Sequence, residues 1–124
     1  GGEIRWRLLP VVVGQSSASS VAALLEALWG GSETLVVVST DLSHYHDHTA
    51  ARRLDAATAA RIVARDVEGI GVEDACGAHP LRGLLELARR RDLQVRLLDL
   101  RTSADTAGDP TRVVGYGAFE VAER

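Results

Sequence analysis

The sequence contains no lysine and no methionine, one cysteine, three prolines and only 4% aromatic residues. A single cysteine, Cys76, excludes an intrachain disulfide. No stretch of 18 apolar residues occurs, so no membrane-spanning helix is predicted. Gly1-Gly2-Glu3 lacks the charged start and apolar core of a signal peptide, and the expectation is a soluble, cytoplasmic protein. With no methionine even at position 1, the chain is expected not to begin at its own initiator. All 14 basic residues are arginines, set against 17 acidic ones for a formal charge of −3. That balance argues against nucleic-acid binding, which needs a basic face. Together with the abundant Ala, Gly, Val and Leu, the arginines read as GC-rich coding and not as 14 functional groups. A Walker loop, a Gly-x-Gly-x-x-Gly turn and a Gly-x-Ser-x-Gly elbow are all missing, which leaves nucleotide hydrolysis and lipase-type chemistry without support.

The 124 residues fit one domain, and 46% apolar with 25% charged residues is a globular composition. Leu8 to Val13 is a β-branched run that predicts a buried strand, with Pro10 at an edge or before its start. After the Ser-rich turn Gln15 to Ser20, residues Val21, Leu24, Leu25 and Leu28 recur at helical spacing, and Gly30-Gly31 stops the helix. Thr34 to Val38 predicts a second strand, apolar without alternation and so expected to be covered on both faces. Thr49 to Asp66 predicts a helix with a moderate apolar face of Leu54, Ala57, Arg61 and Ile62. Gly69 to Gly77 is a break. From Pro80 a third helix follows through Leu81, Leu84, Leu85 and Ala88 to Arg89-Arg90-Arg91. Val95 to Leu100 and Arg112 to Val121 predict two more strands, which a helix-free loop would allow to pair antiparallel. Gly115 and Gly117 in the last strand suggest close backbone approach or a bulge. The order β-α-β-α-α-β-β implies an α/β layered fold with a mixed sheet, parallel where helices intervene, and a site at the strand ends.

Chemistry concentrates in Ser-Thr-Asp-Leu-Ser-His-Tyr-His-Asp-His, residues 39 to 48, with three of the four histidines. Asp41 and His44 are three apart, so a helical turn would put them on one side, where the carboxylate could orient the imidazole as a general acid/base. In extended chain His44, His46 and His48 would share a face and could hold a divalent metal. The competing reading is a loop whose Asp and Ser cap the next helix. Cys76, just before a helix and three residues from His79, could be a thiolate paired with that imidazole, or an inert buried hydrophobe. The Thr102 to Asp109 loop could bind a polar ligand or simply be a solvated turn. Tyr116 could present a phenol near a site or pack.

These segments together, Leu-Leu-Pro-Val-Val-Val-Gly, Val-Val-Val-Ser-Thr-Asp-Leu-Ser-His-Tyr, Ala-Cys-Gly-Ala-His-Pro and Thr-Ser-Ala-Asp-Thr-Ala-Gly-Asp leading to Val-Val-Gly-Tyr-Gly-Ala-Phe, resemble the Memo family. Its prokaryotic members are called AmmeMemoRadiSam system protein B. The resemblance covers residues 8 to 119 and implies a LigB/Memo-like α/β sheet related to the class III extradiol dioxygenases. It implies acid/base roles for Asp41 and His44, and Cys76 with His44 as ligands to iron or copper. It assigns nothing to His46, His48 or His79, and Ala78 stands where the family often has Arg. Family members run to about twice this length, as a larger α/β domain does. The resemblance therefore implies that residues 1–124 are the C-terminal half of a Memo-like domain, that two more site histidines precede Gly1, and that the sheet has an open edge. It further implies an AMMECR-type protein and a radical S-adenosylmethionine enzyme as partners. The function expected is iron- or copper-dependent redox or dioxygenase-like chemistry. The alternatives are a non-catalytic peptide- or partner-binding module, or a fragment without independent function.

Overall fold

The structure, a computed structural model, describes residues 3, 5–106 and 108–124. Gly1, Gly2, Ile4 and Ala107, the last within the Thr102 to Asp109 loop, lie outside the described residues. Among the described residues, three α-helices, one short 3₁₀ turn and three strands form an α/β fold. Helix α1 (Ala18–Leu28) begins where the Ser17 hydroxyl accepts from Ser20 N at 3.0 Å, an N-cap that satisfies one orphan amide. It ends before Gly30, whose φ of +65° costs glycine no Cβ clash. Helix α2 (His48–Val63) is capped by Asp47, which accepts from Ala50 N at 2.8 Å. Helix α3 (Ala78–Arg90) takes Pro80 in its first turn, as its sequence predicts.

Strands β1 (His44–His46), β2 (Gln94–Thr102) and β3 (Val113–Ala122) form a sheet ordered β1-β3-β2. β2 and β3 pair antiparallel from Gln94 opposite Ala122 to Thr102 opposite Gly115, with a register shift between Leu97 and Asp99. β1 pairs with the start of β3, also antiparallel. Helix α2 packs against β2 and β3, and α1 packs against α3. Between them lies a core of Leu42, Ile62, Ile70, Leu81, Leu85, Leu93 and Val95.

Two expected strands do not join this sheet. Neither Leu8 to Val13 nor Thr34 to Val38 enters a ladder, so no parallel pair occurs among the described residues. An apolar run becomes a strand only where a neighbour takes its backbone bonds, and here none does. Leu42 N donates to Gly115 O at 2.8 Å and Gly115 N to Ser43 O at 2.9 Å. Upstream of that contact the chain parts from β3, leaving an apolar slot of ≈540 Å³ between Thr34–Val38 and Gly117–Val121. The expected double coverage is also missing, since Leu35 is 86% and Val37 76% exposed.

The helix faces differ in part as well. Leu24 and Leu28 of α1 are exposed, and Val21 and Ala22 carry its contact. On α2 the buried side is Ala51, Asp55, Thr58, Ala59 and Ile62, whereas Leu54, Ala57 and Arg61 of the expected face are not buried. The α1–α3 contact is close because Gly83 has no side chain: a Cβ there would overlap Val21 Cβ and Cγ1. Gly83→Ala is therefore expected to destabilise the chain. The gain of about 1 kcal/mol in helix propensity is outweighed by overpacking of about 1–3 kcal/mol. A urea midpoint above the parent's would contradict this packing.

Candidate metal centre

Two loops meet beside α3. One is Ser39 to Ser43, leading into β1; the other is Ala75 to Gly77, leading into α3. Three hydrogen bonds and one hydroxyl–sulfur contact join them. Cys76 N donates to Asp41 O at 3.3 Å, Asp41 N to Cys76 Sγ at 3.3 Å and Gly77 N to the Thr40 hydroxyl at 2.7 Å. The same hydroxyl donates to Asp41 O at 2.8 Å and lies 3.7 Å from Cys76 Sγ. Gly77 has to be glycine here, because a Cβ would come within 2.9 Å of Ser39 O.

This joint sets the geometry of the site. Asp41 Oδ2 lies 3.5 Å from His44 Nε2, and both side chains are partly exposed. One ligand atom each from Asp41, His44 and Cys76 falls within 4.8 Å of the others, and Cys76 is exposed. Metal–ligand bonds of about 2.0–2.3 Å set tetrahedral donors roughly 3.3–3.8 Å apart, so the three atoms are near enough to be candidate donors to one ion, and the widest pair would have to close on it. The juxtaposition of Asp41 and His44 predicted from their spacing is present, but through a turn of loop and not a helix. Beside them Tyr45, at φ +65°, tilts its ring against that of His44 at 5.6 Å, and the Arg112 guanidinium lies 4.8 Å over the Tyr45 ring.

The other sequence candidates go elsewhere. His46 is exposed, and His48 faces away from the site: its Nδ1 is 2.8 Å from the Thr102 hydroxyl and its Nε2 4.0 Å from Asp105. The three histidines thus share no metal position. Thr102 and Asp105 cap the short 3₁₀ turn Ser103–Asp105 reciprocally, so much of this loop's polarity serves its own backbone. His79 does not pair with Cys76 in the cluster, and Tyr116 is exposed on β3. Sequence reasoning missed Thr40, whose hydroxyl joins the two loops, and Asp55, whose Oδ1 accepts from Ser43 N at 2.9 Å. Asp55 carried a signal, a lone acid in an Ala-rich helical stretch, but nothing showed which way it faced.

A lesser electrostatic feature steadies the start of α2. Pro110 O accepts from His48 N at 2.8 Å, and the adjoining Asp109 carboxylate accepts from both the amide and the hydroxyl of Thr111. Those bonds, the amide's first, hold the Asp109 carboxyl below its ordinary range. Because the folded value is depressed, the contact favours the native state above the ordinary carboxyl range and is lost as pH falls through the lowered value. Thr111→Val keeps the amide and removes the hydroxyl, so the Asp109 midpoint should rise part of the way back, read by carbon-13 titration of its carboxyl. An unchanged midpoint would refute the hydroxyl's share.

Comparison with known proteins places these residues in context. A family model described as "Memo-like protein" matches residues 3–120. A MEMO1 family protein of Desulfurococcus amylolyticus is 27% identical over 125 residues, covering 92% of this chain and 44% of the relative. Those of Metallosphaera sedula and Sulfolobus acidocaldarius are each 30% identical, covering 88% and 90% of this chain and 43% of their own lengths. The chain spans less than half the length of these curated relatives.

Proposed function

The chain belongs to the Memo-like protein family, and from that premise we propose that Asp41, His44 and Cys76 are its contribution to an iron or copper centre of redox or dioxygenase-like chemistry. The observation that carries this reading is the convergence of a thiol, an imidazole and a carboxylate within 4.8 Å. Three protein donors are the usual complement of an open catalytic metal site. A soft sulfur beside an imidazole suits iron or copper better than magnesium or calcium. When bound, such a metal supplies one-electron and O₂ chemistry.

The chain's own residues would divide the remaining work. Cys76 holds the metal as thiolate, helped by the Asp41 amide that already points at its sulfur. Asp41, 3.5 Å from His44 Nε2, would orient the ring before the ion binds and then serve as the third donor. A cytoplasmic location belongs to the same proposal, since a reducing compartment keeps a lone exposed thiol available. Among the described residues no helix is long and apolar enough to cross a membrane. Anaerobic titration with Fe(II) and with Cu(I) tests the reading: one equivalent of one of them should bind and be released by a chelator. A folded chain that takes up neither overturns it.

A second reading, a partner- or peptide-binding module, has its own observation. The ≈540 Å³ slot along β3 is lined by Leu35, Val37, Leu98 and Phe119, and an extended segment could occupy it by strand addition. The AMMECR-type protein and the radical S-adenosylmethionine enzyme are the partners proposed. Their co-purification with the chain, lost when Val37 is replaced by Asp, would support this reading, and retention in that variant would count against the slot.

A further inference from the structure

Asp55 is a carboxylate in the middle of α2 with 1% of its surface exposed. Acidic residues are almost never buried so completely unless paired. Yet no cation pairs with Asp55 among the described residues. Its Oδ1 accepts one hydrogen bond, from Ser43 N, and its Oδ2 has no hydrogen-bond partner. An apolar side chain would serve the packing of α2 better, so packing does not explain this residue.

Ser43 shows what Asp55 does. Its amide is held by Asp55 and its carbonyl by Gly115 N, while the preceding Leu42 amide donates to Gly115 O. Both backbone groups of one residue are thus fixed, one by a helix and one by a strand. That residue lies next to His44 and two from Asp41. Gly115 completes the clamp, because a Cβ there would overlap Asp55 Oδ2. Only glycine lets β3 approach the carboxylate this closely.

We propose that Asp55 is the positioning residue of the candidate metal centre: its buried carboxylate, seated against Gly115, fixes Ser43 and so sets where Asp41 and His44 meet Cys76. The proposal rests on the metal-site reading for its functional meaning. Asp55 touches none of the three donors and acts only through the loop.

The test compares the parent chain with Asp55→Asn and Asp55→Ala, using Co(II) as probe. Cobalt reports the Cys76 thiolate by a charge-transfer band and the geometry by its visible bands. In Asp55→Asn the amide oxygen still accepts from Ser43 N, so affinity and band positions should stay close to the parent's. In Asp55→Ala the affinity should fall about tenfold or more and the bands should move, with the helical circular dichroism unchanged. A merely structural role would lower the melting temperature without moving the spectrum of the folded protein. A folded Asp55→Ala chain with the parent's affinity and bands overturns the proposal.

Two further measurements keep the outcomes separate. Should the parent bind no Co(II), the metal reading fails, and the metal-free amide resonances of residues 41–44 decide the positioning role. Shifts in Asp55→Ala but not in Asp55→Asn support it, and unmoved resonances in Asp55→Ala overturn it. Should Asp55→Ala not fold, hydrogen exchange at Ser43 in the parent decides: protection matching the buried turns of α2 supports the clamp, and exchange at the rate of an open loop overturns it.

Discussion

Cys76→Ser is expected to weaken Fe(II) or Cu(I) binding by about a hundredfold or more while leaving the fold intact. A serine hydroxyl stays protonated at neutral pH and is a poor ligand, so the change removes the one sulfur donor of the sequence and not merely one contact among many. Because Cys76 is exposed, the substitution opens no cavity in the core. His44→Ala should produce a loss of similar size. Asp41→Asn should cost less, about tenfold, because its amide oxygen can still orient the His44 ring. The contrast lies with the remaining imidazoles. His46, His48 and His79 stand outside the cluster, so replacing each by Ala should leave affinity unchanged. Competition against a chromophoric chelator measures all six variants on one scale. If Cys76→Ser held its metal as tightly as the parent, the assignment of the thiol would be wrong.

Ile70→Ala should cost about 2–5 kcal/mol of unfolding free energy, although the residue lies in a loop. Ile70 lies between Gly69 and Gly71 in the connection from α2 to α3, yet only 1% of it is exposed and it belongs to the central apolar cluster. The loop is pinned around it: Gly69 N donates to Asp66 Oδ1 at 3.1 Å and Gly71 N to Asp74 Oδ2 at 2.8 Å. With the backbone held at both sides, the side chain cannot be replaced by a small shift of its neighbours, and a cavity remains. Val72, two residues on and 60% exposed, makes the control. Val72→Ala should change stability by no more than about 0.5 kcal/mol. Urea unfolding of the pair would show it, and equal midpoints would mean that Ile70 does not fill the core as described.

Ile70 also shows where the sequence was silent. Periodicity exposed α1 and α3, an Ala- and Arg-rich run without Gly or Pro exposed α2, and the helix-free loop between β2 and β3 allowed their antiparallel pairing. A lone isoleucine between glycines has no period, and reads as part of a break. Leu8 to Val13 and Thr34 to Val38 fail in the opposite sense. Their composition states that they can form strands, but pairing depends on a neighbour, which composition cannot supply. Within the site, Asp41 and His44 were legible from their spacing of three. Their approach to Cys76 was not, since it depends on the Thr40–Gly77 and Asp41–Cys76 bonds across the fold. Asp55 was hidden by its type, for an acid inside a helix is ordinarily a solvated one.

The two halves of the donor set lie 35 residues apart in the chain, Asp41 on one loop and Cys76 on the other. In the unfolded polymer they meet only by closing that loop against its own entropy. An ion seated between them would therefore act as a removable crosslink, present in the native ensemble and missing from the unfolded one. At a free concentration a thousandfold above its dissociation constant, it would add about 4.1 kcal/mol to the unfolding free energy. Metal content and melting temperature would then report one equilibrium, and a chelator would act on this chain as a mild denaturant.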